Sequence, residues 1–153
     1  MIGIRGTVIM TASIISRIEI TEFSFEVRNL GVPEGTKTQH SGGTPGGAIE
    51  YAPGQTATMS RYAVVIKTKD GCRGEYVTHY VGTRSALGQS LMLAPNLIGR
   101  DAEAREGLYD DMKRELRQYD HMGHGPIDIA LWDLAGKKYG ASVSKMLGGF
   151  RLR

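Results

Sequence analysis

Cysteine is nearly missing: Cys72 stands alone among 153 residues. No disulfide can close within the chain, and a Cys/His zinc site would have too few thiolates. That usage fits a reducing compartment, so the expected location is the cytoplasm. Long apolar runs are also absent. None approaches the roughly 18 to 20 residues that cross a bilayer, and no membrane helix is expected. Nor is there charge of one sign: 19 basic residues face 16 acidic ones, a net charge of +3. The densest basic clusters, Lys137-Lys138 and Arg151-Leu152-Arg153, have no aromatic residues interleaved. A nucleic-acid partner is therefore not expected. With 23% charged and 41% hydrophobic residues, the chain is composed like a globular domain, and its length suits one domain with a real core.

The stretch Thr7–Ile15, after Arg5, loosely resembles a secretion signal. Its charged region is one residue, and Thr11 and Ser13 break the apolar run. Residues 1–15 are expected to be a leader or disordered N-terminus, with Met10 an alternative start.

Residues Ile18 to Val27 predict a strand. Ile18 and Ile20 mark one face, and Phe23, Phe25 and Val27 the other, so a bulge near Thr21 or burial on both faces is expected. Asn29 to Ser60 is rich in Gly, Pro, Thr and Ser and shows no periodicity. A loop that long is either functional or disordered. Arg61 to Lys69 alternates as a second strand, Asp70-Gly71 signals a hairpin, and Arg73 to Tyr80 returns. The period then changes to helical. One helix is expected from Thr83, with Leu87, Leu91 and Ala94 inward, ending before Pro95. A second is expected after Asp101 as cap, with a stripe of Ala104, Leu108, Met112, Leu116 and Tyr119. A third carries Pro126 in its first turn and Gly140 past its end. It is apolar nearly all round, so it is expected to be covered nearly all round. The fold class is α+β: a three-stranded antiparallel meander followed by a helical bundle.

Several constellations carry no chemistry. Asp110, Asp111 and Glu115 lie beside Lys113 and Arg114 and read as a solvated helix face. Asp128 and Asp133 diverge by roughly 140° around a helix and cannot chelate one ion together; Asp133 is expected to bond backbone at a domain junction. His121 and His124 could pair on a metal, although a turn before a helix explains them as well. The run Gly42–Gly47 lacks the Gly-Lys-Ser/Thr ending of a phosphate loop. No nucleophile-elbow pattern is present.

The segment Gly125–Gly140 contains Ala130, Trp132, Asp133, Gly136 and Lys137, and Met146-Leu147-Gly148-Gly149 follows. This resembles the end of the capping domain in mandelate racemase/muconate lactonizing enzymes of the enolase superfamily, with Met146 in place of the usual first Leu. The hairpin Thr68–Glu75 resembles that family's Asp-Gly…Gly-Glu strand pair. The resemblance covers roughly residues 16–150. It implies a capping domain over 16–140, and a linker over 141–153 toward a (β/α) barrel that this chain does not contain. It also implies Mg²⁺ and a Lys or His base in that barrel, acting on the proton next to a carboxylate, with no metal ligand or base in this stretch. The full-length parent would be a racemase, epimerase, cycloisomerase or acid-sugar dehydratase and a homo-oligomer, and the fragment alone would be inactive. Two capping loops reach over substrate in the family, corresponding here to Asn29–Ser60 and about Thr78–Arg84. His40, Tyr51, His79 and Tyr80 are the implied substrate contacts. The competing expectation is a non-catalytic interaction module that docks through the apolar C-terminal helix.

Overall fold

The computed structural model describes residues 12–27, 57–79 and 83–149, and strand and helix assignments follow for those. Three strands, β1 (Ile15–Val27), β2 (Ala57–Thr68) and β3 (Arg73–Val77), form an antiparallel sheet in the order β1-β2-β3. Four helices follow: α1 (Thr83–Leu97), α2 (Arg105–Glu115), α3 (His124–Tyr139) and the short α4 (Val143–Met146). The expected class, strands first and helices after, is the observed one.

The alternation in β2 places Tyr62, Val64 and Ile66 wholly inside, on the face that meets the helices. Ile127, Ala130, Leu131 and Leu134 of α3 complete that core with Leu93 of α1 and Leu108 of α2. Each large aliphatic side chain buried this way contributes about 1.5–3 kcal/mol. The Asp70-Gly71 turn closes the β2–β3 hairpin, with Gly71 at φ +86°.

Strand β1 departs from expectation in two ways. It starts at Ile15, three residues before the expected Ile18, and Ser13 and Ile15 are completely buried. The pairing with β2 also runs without interruption from Arg17 to Val27; the one irregularity lies between Ile15 and Arg17, not near Thr21. The parity flip has another cause. Beyond Ile20 the β1–β2 pair outruns β3, which ends opposite Ala63. Phe23 and Phe25 pair with Arg61 and Met59 on the face opposite Tyr62, Val64 and Ile66, and they are exposed there, with the Arg61 guanidinium over the Phe25 ring.

Helix α1 continues through Pro95 to Leu97 instead of stopping before it. Proline removes one backbone donor, a loss the last turn tolerates when Leu93 and Leu97 on either side are buried. The inward face also differs. Leu91 is 54% exposed, whereas Gln89 and Ser90 are buried, because both are hydrogen-bonded inside. Asp101 does not cap α2. It forms a bridge with Ile14, and its carboxylate accepts the Glu103 N–H. Helix α2 keeps Leu108, Met112 and, just past its end, Leu116 inside, but Ala104 and Tyr119 are exposed. Helix α3 has Pro126 in its first turn and ends on Gly140 at φ +60°. It is not covered all round: Ile129 is 43% exposed and Trp132 is half-buried.

Candidate functional site

The Ala-Xaa-Trp-Asp…Gly-Lys stretch of α3 owes its residues to docking on β3. Strand β3 comes so close that a β-carbon on Gly74 would lie 2.0 Å from the Ala130 carbonyl oxygen. The next residue, Glu75, donates its backbone N–H to the Asp133 carboxylate at 2.8 Å. Lys137, one turn on, sits 2.6 Å from Asp133 and 3.2 Å from Glu75, whose carboxylate also pairs with Arg73. Asp133 therefore does bond backbone, and the junction it closes is the one between α3 and the edge of the sheet. The Lys137 ammonium holds the Glu75 carboxyl below its ordinary value, and the Asp133 hydrogen bond raises Lys137 in turn. Asp133→Ala removes a charge-assisted bond that is partly exposed, so a loss of about 1 kcal/mol is expected in thermal denaturation. No change at all would show that water replaces the carboxylate without cost.

A second cluster ties down the C-terminal end of α3. Lys138 donates to Ser13 at 2.7 Å and to Glu103 at 2.9 Å, and lies 3.4 Å from Asp70. Asp70 also accepts from the Thr68 and Ser13 hydroxyls, and Tyr139 donates to Glu103. The side chains of Lys138, Asp70 and Glu103 are only 16%, 17% and 18% exposed. The Thr68 hydroxyl, then Ser13, holds the Asp70 carboxyl well below the usual carboxylate range. Tyr139, then Lys138, lowers Glu103 in the same way. A carboxyl depressed in the folded state stabilises fully above its unfolded value, near 4, and that stability is lost as pH falls below it. Asp70→Asn should therefore flatten the decline of melting temperature between about pH 4 and pH 2. An acid limb parallel to that of the unchanged chain would contradict this role for Asp70.

The sheet topology brings the two implied substrate segments to one end. Chain leaves β1 at Val27 and re-enters β2 at Ala57, which are paired. It leaves β3 at Val77, opposite Ala63 on the same strand β2 and at the same end of the sheet. The six-residue offset puts the two exits about 20 Å apart along the sheet. His79 is described and exposed, one residue beyond Thr78, which is itself held by Tyr62. His40, Tyr51 and Tyr80 lie outside the described residues.

Residues not singled out as site candidates form a further polar network among the described residues. The Tyr62 hydroxyl meets Ser90 at 2.9 Å, Ser90 donates to the Gly123 carbonyl at 2.8 Å, and the Gly123 N–H donates to Gln89 at 2.9 Å. Gln89 in turn donates to Asp120 and Ser85. Only a polar pair at adjacent inward positions, Gln89-Ser90, could have hinted at it. A further pocket of about 250 Å³ lies between α2 and α3, lined by Arg105, Glu106, Tyr109, Asp128 and Trp132. The Arg105 guanidinium stacks on Trp132 at 4.6 Å, and burial pushes the Asp128 carboxyl up.

Among the described residues no group of His, Cys, Asp or Glu can hold a metal ion. His124 opens α3, is buried with its ring edge-on to Tyr109, and has its basicity lowered by that burial. Asp111 pairs with Arg100 and Glu115 accepts from Asn96, as a solvated face should. No described helix is long and apolar enough to cross a membrane.

A meander, a helical bundle packed on one face, and a docking helix with the Trp-Asp…Gly-Lys pattern define a domain of the enolase-superfamily type. The sequence profile of the mandelate racemase/muconate lactonizing enzyme N-terminal domain matches residues 46–148, and the chain belongs to that family. A D-galactonate dehydratase family member from Paenibacillus is 42% identical over 91 residues, which is 56% of this chain and 22% of that protein. A member of the enolase superfamily from Agrobacterium tumefaciens superposes over 90% of this chain and 38% of its own, with a TM-score of 0.64 and 25% identity. D-glucarate dehydratase from the same species, solved in complex with magnesium, superposes over 92% of this chain and 34% of its own, with a TM-score of 0.56 and 26% identity. The chain spans less than a third of the length of the curated relatives it matches.

Proposed function

We propose that this domain caps the catalytic barrel of an enzyme that removes the proton next to the carboxylate of an acid sugar, and that its loops select the substrate. The observation that carries this reading is that the chain leaves β1 at Val27 and β3 at Val77 toward the same end of the sheet. A cap that presents two segments to one mouth needs that arrangement. Relatives named as dehydratases and cycloisomerases of sugar acids support the substrate class. Abstraction of so weakly acidic a proton requires a base and a stabilised enolate. In this reading both belong to the barrel, together with the Mg²⁺ that the family implies. The chain's own share is to exclude water and to contact the hydroxyls that distinguish one acid sugar from another.

We assign the open stripe of α3, Ile129 and Trp132, to contact with that barrel. Trp132 is the only tryptophan of the chain. Its emission should move to shorter wavelength in the complete gene product relative to this chain alone; identical spectra would remove the assignment. For the substrate role, His40→Ala, Tyr51→Phe, His79→Ala and Tyr80→Phe are each expected to raise KM in the complete enzyme by about ten-fold, the loss of one polar substrate contact. KM unchanged in all four would leave the two segments without a part in recognition.

A further inference from the structure

Arg105 and Asp128 line one pocket, between α2 and α3, and leave hydrogen bonds unmade there. Two of the three guanidinium nitrogens of Arg105, Nε and Nη1, are shut from water and have no partner among the described residues. The guanidinium rests on the Trp132 ring instead. A buried donor without an acceptor is costly, and a fold gains nothing by keeping one. Asp128 is half-buried, and no described residue donates to its carboxylate or pairs with it as an ion. These unmet groups select an occupant. An anion that met Arg105 would face two carboxylates, Asp128 and Glu106. A cation that met Asp128 would leave the Arg105 donors unmet. A peptide group satisfies both, its carbonyl accepting from the guanidinium and its N–H donating to the carboxylate. Trp132 and Tyr109 complete the lining, with exposed Ile129 next along α3, and Trp, Tyr and Arg are the side chains that dominate protein interfaces.

We infer that the α2–α3 pocket docks an extended main-chain segment of the barrel domain, with Arg105 and Asp128 as its polar anchors. That the occupant is the barrel rests on the capping role proposed above. This chain spans less than a third of the length of its curated relatives, and the stripe assigned to barrel contact runs into the pocket through Trp132. The demand for a peptide group rests on the pocket alone.

Amide hydrogen exchange, followed by mass spectrometry on the complete gene product and on this chain, tests the docking. Peptides covering residues 105–112 and 126–134 should exchange about ten-fold more slowly in the complete product. Arg105→Met keeps the stem against Trp132 and removes the donors. It should speed exchange of both peptides about ten-fold in the complete product, yet change it less than about two-fold, or slow it, in this chain, where the unmet donors bring only their cost. Asp128→Asn should follow the same pattern. Equal acceleration in both proteins would make Arg105 an internal packing residue, and no change in the complete product would leave the pocket without that occupant; either result overturns the inference. Protection in this chain that grows with protein concentration and is lost in Arg105→Met would make a second copy the occupant, and would overturn it too. Solvent-deuterium wash-in judges the capping role separately. Turnover of a sugar acid without the exchange pattern fails the docking alone, and the pattern without turnover fails the sugar-acid reading alone.

Discussion

Gly74→Ala should unfold this domain or leave it barely cooperative, with a loss of about 3–5 kcal/mol. The added methyl would lie 2.0 Å from the Ala130 carbonyl oxygen, 2.6 Å from the Leu134 β-carbon and 2.7 Å from the Leu134 backbone nitrogen. Two of these three are backbone atoms of α3, which no rotamer change can move. Relief requires α3 to lift off β3. That motion would break the Asp133–Glu75 bond and open the layer containing Ile127, Leu131 and Leu134. A melting temperature lower by about 10 °C or more is expected. Gly88→Ala is the control: nothing lies within 4 Å of its added carbon, and it sits within helix α1. There alanine should stabilise by about 0.5–1 kcal/mol. Equal effects at the two glycines would contradict the close approach.

The second large effect is expected at Gly123→Ala, about 2–4 kcal/mol. Its backbone is ordinary right-handed, φ −76° and ψ −14°, which alanine adopts freely. The whole cost is therefore steric. The added carbon would meet the Gln89 β-carbon at 2.3 Å and the Ala86 oxygen and Ser90 nitrogen at 2.6 Å each. The turn from Asp120 to His124 would be pushed from α1, and the Gly123 bonds to Ser90 and Gln89 would lengthen with it. Thermal denaturation gives the size. A loss under 1 kcal/mol would mean that α1 yields more readily than a packed helix should.

Elements whose apolar spacing was dictated by burial alone were legible in the sequence. The β2 alternation, the Asp-Gly turn, and the Pro126 and Gly140 limits of α3 all read directly from residue type. The family resemblance rested on Trp132, Asp133, Gly136 and Lys137, and their geometry explains why: Asp133 and Lys137 lock α3 to the edge of β3. What could not be read was polarity used inside. Gln89 and Ser90 face the core because Tyr62, Gly123 and Asp120 receive them, so a count of apolar residues rotated α1 toward Leu91. Phe23 and Phe25 misled in the opposite sense, since aromatic residues on an extended strand pair suggested a bulge where the pairing is regular. Asp101 looked like a helix cap, but the bridge to Ile14 claims its backbone, and that partner lies in a stretch whose pattern suggested a leader. For the site, only the chain order of the two segments was visible. That they leave the sheet at one end follows from strand pairing, which spacing along the sequence does not encode.

Solvent-deuterium wash-in tests the capping role within a sugar-acid enzyme most directly. The complete gene product and this chain would be incubated in D₂O with Mg²⁺ and a panel of sugar acids, and the hydrogen next to the carboxylate, or its elimination, followed by proton NMR. Label at that carbon or loss of water with the complete product, and neither with this chain alone, is the predicted result. No reaction with any member of the panel, or turnover by this chain without a barrel, would contradict it.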